Sequence, residues 1–127
     1  MIDHVSVAVR DLAASARFYE AVLSTLGFAV LERRPATVGF GKTYPEFWIN
    51  LRPGMASVPA DSGTHICLRA RAIADVDAFH AAALGAGGTS DGAPGRRPHD
   101  RVAYYAAFVR DPDGNRIEAV TFLKEGA

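Results

Sequence analysis

The chain has 127 residues, which suits one compact domain with its own core and not two independent ones. Its 14 basic and 14 acidic side chains cancel, so charge gives no sign of a nucleic-acid partner or an anionic membrane surface. One Cys excludes an internal disulfide, no apolar run approaches the roughly 20 residues of a membrane span, and the N-terminus has no basic-then-apolar leader, so a reducing, cytoplasmic setting is expected.

"HVSVAVRD" alternates, with Val5, Val7 and Val9 on one face and His4, Ser6 and Ala8 on the other, which predicts a half-buried strand. In "DLAASARFYEAVLSTLGF", Leu12, Phe18, Val22, Leu23 and Leu26 recur near the helical period, with Asp11 as N-cap and Gly27 as the stop. "AVLERR", "ATVGFGK" and "EFWINLRP" then read as three short strands before Pro53-Gly54 ends a βαβββ unit.

After the Gly/Ser/Pro-rich "GMASVPADSG", the order restarts with "THICLRARAIADVDAFHAAALGAGG". An offset of 61 pairs His4 with His65, Val5 with Ile66, Phe18 with Phe79 and Val22 with Ala83 without a gap. Farther on, "FWINL" and "NRIEA" align Ile49 with Ile117 and Asn50 with Glu118 at an offset of 68, and "GTSDGAPGRRPHDR" reads as the loop holding the extra residues. The expected fold is α+β, a single domain over 1–127 made of two tandem βαβββ modules, about 1–54 and about 62–123. The modules form a concave mixed β-sheet cup with the helices outside.

Residues that alternate away from the helices line the cup: His4, Ser6 and Ala8; Trp48 and Asn50; His65, Cys67 and Arg69; Glu118 and Val120. Two imidazoles and a carboxylate on three strands have the composition of a 2-His-1-carboxylate divalent-metal site, with open positions for a chelating substrate. Singly, each has a plainer reading: a His near a strand start bonds at a sheet edge, and Glu118 on a one-sided sheet faces water. Cys67 reads best as a small buried hydrophobe, Arg69 as a rim cation or a carboxylate ligand, and Trp48 as groove wall or core. His99 and Arg101 sit in a polar loop that is either solvated or closes over the groove.

"IDHVSVAVRDLAASARFYEAVL", "THICLRA" and "VRDPDGNRIEAV" together resemble the glyoxalase/bleomycin-resistance/extradiol-dioxygenase, or vicinal-oxygen-chelate, superfamily, over essentially the whole chain. The resemblance implies a divalent ion (Fe, Ni, Zn or Mn) on His4, His65 and Glu118, with Glu118 also catalytic. It further implies a small oxygen-chelating substrate, lyase, isomerase or dioxygenase chemistry, and a homodimer. Asn50, Trp48, Arg69, His99 and Tyr105 are the expected substrate contacts. Glyoxalase I enzymes typically carry a carboxylate where Asn50 aligns, and an amide is no base near neutral pH. Bleomycin-binding relatives supply the other class, a protein that sequesters a small molecule without turnover.

Overall fold

In the computed structural model, which describes residues 1–98 and 101–124, strand β1 (Val5–Val9) leads into helix α1 (Leu12–Ser24), β2 (Ala29–Arg33), β3 (Thr37–Gly41) and β4 (Pro45–Leu51). The order repeats as β5 (His65–Arg69), α2 (Ile73–Gly85), β6 (Thr89–Arg97), β7 (Tyr104–Arg110) and β8 (Arg116–Phe122). Each half is a four-stranded sheet, β1-β4-β3-β2 and β5-β8-β7-β6. In both, the first strand runs parallel to the last and the remaining neighbours are antiparallel. The chain is therefore α+β, with two tandem βαβββ modules and no closed barrel. Among the described residues, no helix is long and apolar enough to cross a membrane.

The helices start and stop for local reasons. Asp11 stays extended while its carboxylate accepts the Ala14 N–H at 3.0 Å, satisfying one donor of the first turn. Beyond the last turn of α1, Gly27 takes φ +85°, a left-handed conformation that a Cβ would disfavour. Helix α2 begins after Ala72, which is extended and, among the described residues, has no side-chain cap. We expect Asp11→Ala to cost about 1 kcal/mol, read as a lower urea midpoint with an unchanged slope.

One apolar core runs through both modules. Phe18, Tyr19, Val22 and Leu23 of α1 join Phe40, Phe47 and Ile49, while Val76, Phe79 and Ala83 of α2 join Val109, Ile117 and Ala119. Phe18 and Phe79, mates at the offset of 61, are both fully buried.

The segment Thr89–Arg97, expected as loop, is instead the outermost strand, β6. Its pairing with β7 slips between Ser90 and Gly92 and again between Gly92 and Gly95. An outer strand is bonded on one side only, so Pro94 and the extra residues are tolerated there as they would not be in mid-sheet.

The turn "DPDGN" between β7 and β8 fastens the two modules. Asp111, buried, accepts from the Tyr19 hydroxyl at 2.6 Å, from Asn115 Nδ2 at 2.8 Å, and from the backbone N–H groups of Asp113 and Asn115 at 2.9 and 2.8 Å. Asp113 takes Arg10 Nε at 2.7 Å and the Arg10 N–H at 3.1 Å, and Asn115 Nδ2 donates to the Ala8 carbonyl at 2.8 Å. Gly114 supplies the left-handed residue, φ +93°. Burial raises the Asp111 pKa against the opposing pull of these hydrogen bonds, and burial and then the charge of Asp111 push Tyr19 well above the ordinary phenol value. The clasp ties the strand carrying Glu118 to the end of the strand that His4 precedes.

Candidate functional site

Strand β5 alternates as its sequence requires: His65, Cys67 and Arg69 are exposed, while Ile66 and Leu68 pack on the core. Its parallel partner β8 sets Cys67 opposite Glu118 and Arg69 opposite Val120. His65 Nε2 lies 3.0 Å from Glu118 Oε1, an imidazole–carboxylate hydrogen bond in which the ring donates. Glu118 is only 7% exposed. The Cys67 thiol is pushed up to about 12, first by burial and then by the charge of Glu118 and a hydrogen bond to it, with Arg69 pulling the other way.

His4 is placed differently. Just ahead of β1 and exposed, its Nδ1 lies 2.8 Å from Asp3 Oδ1. It nevertheless lines the same groove of about 620 Å³ as His65, Cys67, Arg69 and Glu46. Glu46 went unnoticed in the sequence because it sits beside Pro45 at the start of β4, where alternation says little. Among the described residues, no three His, Cys, Asp or Glu side chains stand together as a metal-holding set. His65 and Glu118 are a formed pair, and His4 is a neighbour across the groove.

Two further hollows flank it. In module 1, Trp48 and Asn50 line a cavity of about 380 Å³ with His4, Arg34 and Thr37, where the buried Thr37 hydroxyl has no hydrogen-bond partner among the described residues and the Arg34 guanidinium lies 5.1 Å from the Trp48 ring centroid. In module 2, Cys67, Glu118, Val120 and Phe122 line a cavity of about 260 Å³ with Val102 and Tyr104. Tyr105, an expected groove residue, is a correction: it faces the helix layer, packs on the core, and donates to Asp77 Oδ1 of α2 at 2.6 Å. Neighbours on a strand point to opposite faces, so Tyr104 occupies the cup instead. His99 lies outside the described residues.

The repeat also needs a correction. Ser6 pairs with Trp48 and its mate Cys67 pairs with Glu118, so the position equivalent to Glu118 in module 1 is Trp48, and that of Asn50 is Val120. The sequence alignment was two residues out, a slip that leaves every side chain on the same face and therefore escapes a reading of alternation. Module 1 thus places neither carboxylate nor amide at the point corresponding to Glu118.

These features define a paired βαβββ architecture whose second module carries a histidine–carboxylate pair beside an apolar hollow. The Glyoxalase/Bleomycin resistance protein/Dioxygenase superfamily model matches residues 1–119, and the chain belongs to that superfamily. It is similar to a glyoxalase/bleomycin resistance protein from Albidiferax ferrireducens T118, at 34% identity over 92% of this chain and 95% of that one, with a TM-score of 0.82. A glyoxalase/bleomycin resistance protein/dioxygenase family enzyme from Burkholderia phytofirmans PsJN shares the fold at 22% identity, over 96% and 98% of the chains, with a TM-score of 0.73. A glyoxalase-related enzyme from Fulvimarina pelagi does so at 24% identity, over 94% and 86%, with a TM-score of 0.71. None of the curated proteins matches the chain.

Proposed function

We propose that this chain is a divalent-metal enzyme acting on a small oxygen-chelating substrate. The observation that carries the reading is the His65–Glu118 pair, a nearly buried carboxylate held at 3.0 Å from an imidazole with open space on either side. A carboxylate so placed is costly unless a cation compensates it, and imidazole with carboxylate is the donor chemistry of Fe, Ni, Zn and Mn sites. The donor chemistry of the pair suits such an ion: His65 and Glu118 would hold it, and His4, which lines the same groove, would be the third donor once released from Asp3. A bound divalent ion polarises a substrate oxygen and stabilises charge that develops there. Glu118, the carboxylate of the module 2 cup, is the group to hold or receive a proton beside that oxygen. A second base at the repeat-equivalent position has no residue to supply it, which favours single-base chemistry over the two-base glyoxalase scheme.

Metal analysis of chelator-free protein tests the reading. We expect about one ion per chain, lost in His65→Ala and weakened in His4→Ala. An ion content indifferent to both changes would overturn it. Mixing His4→Ala with His65→Ala protein adds a test of a homodimer whose site is shared, since only a shared site regains metal on mixing. The Val102–Tyr104–Phe122 wall favours the second reading, sequestration of an apolar ligand, which predicts binding without turnover or metal dependence.

A further inference from the structure

Arg69 differs from the arginines around it. Arg10, Arg33, Arg34, Arg110 and Arg116 each have a carboxylate within ion-pair distance. Arg69 stands on the open face of β5 with His65 and Cys67, its guanidinium 4.5 Å from the Phe122 ring centroid, and among the described residues it makes no hydrogen bond or ion pair. A cation resting on an aromatic ring is held in place while its N–H edge stays available, and that fork matches a carboxylate. Below it, Phe122 and Val102 are exposed apolar side chains in the wall of the hollow that ends at Glu118. Residues two apart on one strand face are separated by roughly 6.6 Å, so Arg69 marks a point about that far along the sheet from the Cys67–Glu118 pair.

The geometry points to a substrate class: a small carboxylate with an aryl or aliphatic body, its anion on Arg69, its body against Phe122 and Val102, and its reacting oxygen toward His65 and Glu118. This deepens the proposed function and rests on it for the reacting end alone. Arg69 is then the residue that sets specificity, and Phe122 both seats the substrate body and holds the guanidinium in position. A neutral analogue of the same shape keeps the apolar contact and loses the charged one.

Calorimetric titration of the full chain with 3-phenylpropionate and with 3-phenylpropan-1-ol tests this, on chelator-treated protein and again after loading with Zn²⁺. We expect the acid to bind about tenfold more tightly than the alcohol in both states. Arg69→Gln should level the two, Arg69→Lys should retain part of the preference, and Phe122→Ala should weaken both ligands. Arg69 and Phe122 are both exposed, so these variants keep the fold, which circular dichroism checks. Equal affinities, binding of neither ligand, or a preference that survives Arg69→Gln would overturn the proposal. A preference that appears only with Zn²⁺ and ignores Arg69 places the carboxylate on the metal, sinking the clamp and leaving the metal reading intact. A preference that needs Arg69 in protein that takes up no metal upholds the clamp and removes the metal reading.

Discussion

Glu118→Gln should lower divalent-metal affinity by roughly 100-fold or more while leaving the metal-free protein at least as stable as the wild type. The two effects have one origin. Gln keeps the length of the side chain and an oxygen for the His65 ring, but it removes a charge from a site that is almost closed to water. Without metal, that removal relieves a desolvation cost; with metal, it takes away the anionic donor. The measurement is melting temperature with and without added ion. Wild type should rise with metal as binding to the native state shifts the unfolding equilibrium, and the variant should not. A variant that titrates like the wild type would show that the ion, if any, sits elsewhere.

The second large effect concerns the clasp. Asp111→Ala removes the acceptor of the Tyr19 hydroxyl and of two backbone N–H groups and leaves the Asn115 amide only its bond to Ala8, so we expect a loss of about 3 kcal/mol, or about 10 °C in melting temperature. The pH dependence has a definite sign. Because burial raises the folded-state pKa of Asp111 above its unfolded value, the protonated form contributes stability that is fully present below the unfolded pKa. That contribution is lost as pH rises through the folded pKa. Asp111→Asn cannot titrate, so the stability difference between wild type and this variant should widen as pH falls from about 7 to about 4, read by urea unfolding. A constant difference across that range would show that Asp111 does not carry the effect.

Much of this architecture is legible from alternation and helical period, since β1, α1, β4 and β5 each bury one clear face, while α2 and β8, the latter buried on both sides, are legible through their correspondence with the first module. Asp11 and Gly27 mark helix ends by chemistry that is local in sequence. Strand β6 was hidden because Pro94 and its glycines are loop-like in composition, and only its place at the sheet margin makes them acceptable. The match of Asn50 to Glu118 failed by two residues, a displacement to which face patterning is blind. Choosing between Tyr104 and Tyr105 needed the strand's phase, fixed by Tyr104 lying opposite Phe122. The stacking of Arg69 on Phe122 and the attachment of Asp111 to Tyr19 join residues far apart in the chain. Each becomes visible only once the sheets are assembled.

Strand β6 has a consequence for remodelling. It is largely exposed and already irregular in register, yet Arg97 at its end places a guanidinium 5.6 Å from the ring centroid of Phe108, which itself lies opposite Glu118. Away from Asp91, which pairs with Arg110 and Arg116, sequence change or insertion along this margin therefore alters the rim of the cup with little disturbance of the Phe79–Val109–Ile117 packing beneath. It is the natural place to graft new selectivity onto this scaffold while keeping the same interior.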